Sequence, residues 1–201
     1  MLGMELHWSH EKVKLTQTCL IKSLVKQRLK EDGGRCSLPS NPDAYQKADE
    51  TDPKIETKKY QAIIGGLLFI TRMSRPEISV HVNLLGRRTK DVTDKHLKTV
   101  LQVLRYLHLT KDEGITLCKA NDLNLTIYTD AVYGGENLCS QTGAIMCLGN
   151  QLVGWYSRRQ DVVSLSVTEA ETLWIARVRS MRLGPSSSCR RLELGYQPYP
   201  H

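Results

Sequence analysis

The chain has 201 residues, 40% hydrophobic and 24% charged, with 14 Gly and 7 Pro, a globular composition that fits one large domain or two small ones and excludes collagen-like and low-complexity chains. Its longest apolar run, Ile63 to Ile70, is far shorter than the roughly 18 residues of a membrane span. The net charge of +7 falls wholly in residues 1–120, which hold 21 Lys and Arg against 14 Asp and Glu, and residues 121–201 are neutral.

A basic segment beside a neutral one fits a part that contacts a polyanion joined to something else, because clustered Lys and Arg gain affinity for phosphates by counterion release. Ordinary solubilising charge explains the same balance equally well. The N-terminus, Met1 to Trp8, does not have the basic and then apolar order of a signal peptide, so a cytoplasmic or nuclear protein with no membrane partner is expected. Six scattered cysteines without a C-x-x-C pair read as reduced thiols rather than a zinc module or disulfide framework. No glycine loop of phosphate-cradling type occurs, and no small-molecule cofactor is expected.

In chain order, Glu5 to Gln17 alternates apolar and polar residues as a short hairpin. Thr18 to Leu29 places Leu20, Ile21, Leu24, Val25 and Leu29 at helical spacing opposite Lys22, Lys26 and Lys30, with Gly33-Gly34 expected to end the helix. Residues 32–57 read as a linker. From Lys58 the pattern is strongly helical through Tyr60, Ile63, Ile64, Leu67, Leu68 and Ile70. Arg75-Pro76-Glu77 then stops one helix and starts another, Pro76 suiting a first turn and Glu77 the positive end of its dipole. Thr93 is the expected N-cap of a third helix, Asp94 to Leu109, with a core stripe of Leu97, Val100, Leu101, Leu104, Leu107 and His108. Its outer face carries Lys95, Lys98 and Arg105 on one line, able to track a phosphate backbone or simply to be solvated.

After Gly114 the period changes to two. Leu123 to Tyr133, Thr142 to Leu148 and Leu152 to Ser157 read as an antiparallel meander with turns at Gly134-Gly135 and Gly149-Asn150. Ser166-Val167-Thr168-Glu169 is a capping-box pattern opening a helix over Ala170, Leu173, Trp174, Val178 and Met181. Beyond Gly184 the helical pattern fails, leaving an irregular tail.

Asp130 ends an apolar strand, and Glu169 and Glu171 open the helix after the meander. Glu169 folds back onto the cap. Glu171, at the edge of the apolar stripe, is costly to bury without a partner and so favours a site role. Asp130 serves either as a metal-binding carboxylate or as a cap for the turn at Gly134.

Tyr60 to Leu68 (YQAIIGGLL), Arg75 to Ile78 (RPEI) and Val103 to Leu107 (VLRYL) follow Leu2 to Glu5 (LGME) in the order found in copia-type LTR retrotransposon Pol polyproteins. Tyr128-Thr129-Asp130, Gln141 to Gly143, Gly154 to Gln160 (GWYSRRQ) and Leu165 to Glu171 (LSVTEAE) resemble that family's ribonuclease H region. The resemblance implies an α+β chain: a helical thumb- or connection-like segment, then an incomplete ribonuclease H-like antiparallel sheet with one helix. Residues 1–31 would be the end of a reverse transcriptase palm, 32–57 a linker, 58–120 thumb- or connection-like helices, 121–183 a partial ribonuclease H-like domain and 184–201 a tail. It implies that Asp130 and Glu171 are catalytic carboxylates that bind Mg²⁺ or Mn²⁺ and act on RNA–DNA hybrids. Lys95, Lys98 and Arg105 would then face the nucleic acid.

The departures shape the expectation. The polymerase aspartate pair expected before Leu2 is not in this sequence, Val132 stands where many members carry a second acid, and the strand bearing a third metal-binding aspartate would follow the last residues. In the ribonuclease H fold the fourth strand pairs beside the first, so the Asp130 strand is expected to have an open edge. The expectation is a Pol fragment catalytically incompetent alone. Alternatives are a non-catalytic nucleic-acid-binding module, a ribonuclease H completed by another carboxylate or a partner chain, and a translated remnant with no selected function.

Overall fold

The computed structural model describes residues 3–29, 36–39, 56–119, 124–132, 141–159 and 192–194. They fall into two compact units, Met1–Thr116 and Leu117–His201. The architecture is α+β.

In the first unit the alternation of Glu5 to Thr16 forms the expected hairpin of β1 (Glu5–Ser9) and β2 (Lys12–Thr16), in a register pairing Glu5 with Thr16 and Ser9 with Lys12. Two-residue periodicity puts Leu6 and Trp8 on one face, and both are exposed. Helix α1 (Thr18–Arg28) has no acidic residue in its first turn and no side-chain cap of its own. Glu5 supplies one from the neighbouring strand: its carboxylate accepts the Cys19 N–H at 2.6 Å. That bond chiefly holds the Glu5 carboxyl below the usual range and ties the start of the helix to β1. Lys26 and Arg28 complement the other end. Gly33-Gly34, expected to end α1, lies outside the described residues. The helix already stops at Arg28, where Leu29 becomes extended and packs against the core.

Helix α2 (Thr57–Met73) carries the apolar stripe read from the sequence, with Tyr60, Ile63, Ile64, Leu67 and Ile70 buried. The Tyr60 hydroxyl donates to the Leu85 carbonyl at 2.8 Å, and burial raises its pKa. A 3-10 turn at Pro76–Ile78 leads into α3 (Ser79–Gly86), so the proline sits where its missing N–H is harmless.

Helix α4 spans Asp94–Leu109 with Thr93 as N-cap, the bounds expected from the sequence. The capping box closes through His96 rather than Glu or Gln, its Nδ1 accepting the Thr93 N–H at 3.2 Å. The core stripe is rotated from the expected one: His108 is exposed, and Val103, His96 and Thr99 are buried. The physical reason is that α4 is packed by α1, α2 and α3 together, which widens the covered arc toward its N-terminal polar residues.

A strand not expected from the sequence, β3 (Ile115–Cys118), completes a sheet ordered β1-β2-β3. Gly114 makes its approach possible, because a Cβ there would lie 2.0 Å from the Leu15 carbonyl oxygen.

The second unit contains β4 (Leu125–Val132), β5 (Gln141–Leu148) and β6 (Gln151–Arg159) as the expected meander. Gly149, at φ +58°, makes the β5–β6 turn, and its N–H donates to the Asn124 carbonyl at 2.8 Å. A bulge at Met146/Cys147 shifts the β5–β6 register. One sheet face buries Leu125, Ile127 and Ala144, and Tyr128 and Ile145 are exposed on the other.

Two expectations need correction here. The tail is not wholly irregular, because β7 (Leu192–Leu194) pairs with β4, and the sheet runs β6-β5-β4-β7. Nor is the sheet purely antiparallel or its β4 edge fully open: Leu125 to Ile127 pair in parallel with Leu192 to Leu194. Three alternating residues, Leu-Glu-Leu, carry too little periodicity to be read as a strand, and only the neighbouring β4 backbone makes them one.

Candidate nucleic-acid interface and carboxylate strand

Helix α4 brings Lys95, Lys98 and Arg105 to one line, as the spacing requires, but in unequal states. Lys95 and Lys98 are exposed, and Lys98 is tied to Asp94 one turn back at 2.6 Å. Such an exposed i,i+4 pair contributes only about 0.3–0.5 kcal/mol, so Asp94 holds Lys98 only weakly. Arg105 departs from the expected outer-face position: it is half-buried, and its Nε is shut from solvent without an acceptor among the described residues.

Gln102 lies on the same line between Lys98 and Arg105. Its Nε2 donates to the Leu38 carbonyl at 3.4 Å, placing residues 36–39 on the line itself. This part of the expected linker is therefore seated against α4.

The sequence also passed over a second cation. Arg75 is 1% exposed, and its guanidinium donates to Glu77 Oε1 at 2.5 Å, the Thr110 carbonyl at 2.7 Å and Thr110 Oγ1 at 2.6 Å. Glu113 Oε2 lies 3.7 Å away and the Tyr106 ring centroid 5.6 Å away. All its donors point inward, so Arg75 ties the end of α4 to the turn after α2 and offers nothing to a ligand. The available signal is the Arg-Pro-Glu triplet, which reads in the sequence as a helix boundary and as part of the RPEI motif rather than as a buried ion pair.

On the carboxylate side, Asp130 stands in β4 opposite Gly143, three positions beyond the last residue paired to β7. Glu171 lies outside the described residues, as do Glu169 and the turn at Gly134. Among the described residues no three His, Cys, Asp or Glu side chains gather to hold a metal ion. His81, half-buried in α3, has its pKa lowered by desolvation and is correspondingly poor as a phosphate-binding cation.

The chain is 36% identical over 138 residues to the retrovirus-related Pol polyprotein from transposon RE1 of Arabidopsis thaliana, covering 68% of this chain and 9% of that protein. Its match to the corresponding polyprotein from transposon RE2 of the same plant is 38% over 124 residues, covering 61% and 8%. The putative transposon Ty5-1 protein of Saccharomyces cerevisiae is 35% identical over 127 residues, with 61% of this chain and 41% of that protein covered. The chain belongs to the copia-type retrotransposon Pol family. No family model and no solved structure matches it.

This copia-type Pol homologue spans under a tenth of the RE1 and RE2 polyproteins. No described helix is long and apolar enough to cross a membrane.

Proposed function

We propose that the chain represents the junction between the reverse transcriptase and ribonuclease H regions of Pol and that it binds RNA–DNA hybrid. The observation that carries this reading is the parallel pairing of β7 with β4. The ribonuclease H fold pairs its fourth strand beside its first, and β4 is the strand that bears Asp130. The first unit supports the same reading through its basic balance and the cationic line of α4, since backbone phosphates are recognised mainly by Lys and Arg.

In this reading Asp130 and Glu171 are the residues that would hold Mg²⁺ or Mn²⁺, which when bound supplies a Lewis acid and an activated water for phosphodiester hydrolysis. Two carboxylates are fewer than a two-metal site requires, and Val132 provides no further acid near Asp130. With no third carboxylate assigned beside Asp130 and Glu171, the reading is that this polypeptide holds hybrid without cutting it.

The test is a gel assay of the purified chain with labelled RNA–DNA hybrid in Mg²⁺ and in Mn²⁺. Expected are retarded migration that weakens steeply with salt, loss of retardation when Lys95, Lys98 and Arg105 are replaced by Gln, and intact hybrid throughout. Cleavage that disappears in Asp130→Asn would overturn the non-cutting half of the reading. Absence of retardation at low salt would overturn the binding half.

A further inference from the structure

The geometry points to residues 36–39 as a reversible strap that crosses the cationic line of α4 at Gln102 and must lift for a polyanion to run along it. This inference rests on the nucleic-acid reading above and adds its regulation.

Lys98, Gln102 and Arg105 follow one another at spacings of four and three residues, so they share a single stripe about 10 Å long on the helix axis. A phosphate backbone that engages Lys98 and Arg105 together has to pass over Gln102. The Leu38 carbonyl already sits there, 3.4 Å from the Gln102 amide. Strap and ligand compete for the same place.

The strap is held lightly. Its hold on α4 among the described hydrogen bonds is that one long bond, and the same carbonyl accepts the Cys36 thiol at 3.1 Å, so two donors converge on one oxygen. The Leu38 side chain is 66% exposed and adds little apolar anchoring. Charge complements this weak contact. Residues 31–56 contain seven acids against three bases, so the connection from which the strap is drawn carries the sign that α4 attracts. Arg105, three residues beyond Gln102, is half-buried with its Nε out of water and unbonded among the described residues. A phosphate that displaced the strap would give that guanidinium the acceptor it now does without.

Cys36, half-buried beside Leu38, reports the strap's position. The experiment measures thiol alkylation of the full chain, resolved peptide by peptide by mass spectrometry, with a single-stranded oligonucleotide as the polyanion probe. Cys36 labelling should accelerate about two- to tenfold in Gln102→Ala, the effect of one neutral hydrogen bond. It should also accelerate with added salt and with added oligonucleotide, while labelling of exposed Cys19 stays constant. A Cys36 rate unchanged by Gln102→Ala and by salt overturns the strap, and so does a rate that falls when oligonucleotide binds. If labelling responds to Gln102→Ala and salt but neither the wild-type chain nor the variant binds oligonucleotide, the strap stands and the nucleic-acid reading fails. Tighter oligonucleotide binding by Gln102→Ala than by the wild-type chain supports both.

Discussion

Replacing Arg75 by Met tests the argument about the buried cation most directly. Met keeps the apolar stem and removes every donor of a side chain that is 1% exposed. Three hydrogen bonds disappear, those to Glu77, to the Thr110 carbonyl and to Thr110 Oγ1. Their partners fare differently. Glu77 is 38% exposed and Glu113 65%, so both carboxylates recover water at modest cost. The Thr110 hydroxyl keeps its bond to the Tyr106 carbonyl at 2.9 Å. The Thr110 carbonyl is left without its donor, at about 1–3 kcal/mol, and bonds to a charged group are worth about 1.5–3 kcal/mol each. Relief from burying a guanidinium offsets part of this, so the expected loss is about 3 kcal/mol, toward the low end for breaking a buried pair. Hydrogen exchange of amides in α2 and α4 measures it as a faster opening of both helices together. Arg75→Lys should lose less, because an ammonium keeps the charge but cannot span Glu77 and both Thr110 oxygens. Glu113→Gln, at an exposed partner, should change opening by less than about 0.5 kcal/mol. A loss below about 1 kcal/mol in Arg75→Met would refute the claim that this side chain ties α4 to the turn after α2.

Gly114→Ala should free β3 from β2, since its Cβ would meet a backbone oxygen at 2.0 Å; unchanged protection of the β3 amides would contradict this. Leu104→Ala should cost about 2–5 kcal/mol, whereas His108→Ala should be nearly neutral, and urea unfolding that ranks them otherwise would return the α4 stripe to its sequence-read position. Glu5 is bonded in its ionised form, so its folded pKa is depressed and its contribution is fully present above the unfolded-state value of about 4.3. That contribution is lost as the pH falls through the lower folded-state value. Glu5→Gln should therefore flatten the acid limb of a stability–pH profile, and an unchanged limb would count against the strand-to-helix cap.

The long periodic segments are legible in the sequence. The hairpin, the bounds of α4, the apolar stripe of α2 and the three-strand meander follow from side-chain periods of 3.6 and two, which are local properties of the chain. The Gly149-Asn150 turn was equally plain, because positive φ selects glycine. The motifs that place the chain in the copia-type Pol family were also written in the residues themselves, as was the candidacy of Asp130, Lys95, Lys98 and Arg105.

Tertiary structure decided what depends on distant partners. Glu5 caps α1 from another element altogether. Gly114 matters only because Leu15 comes close to it, and Leu192 to Leu194 form a strand only because β4 has a flank to receive them. The same reason separates the three cations of α4. Helical spacing aligned Lys95, Lys98 and Arg105, but a neighbouring segment across Gln102 and the half-burial of Arg105 make their availability unequal, and that follows from packing, which no local pattern encodes.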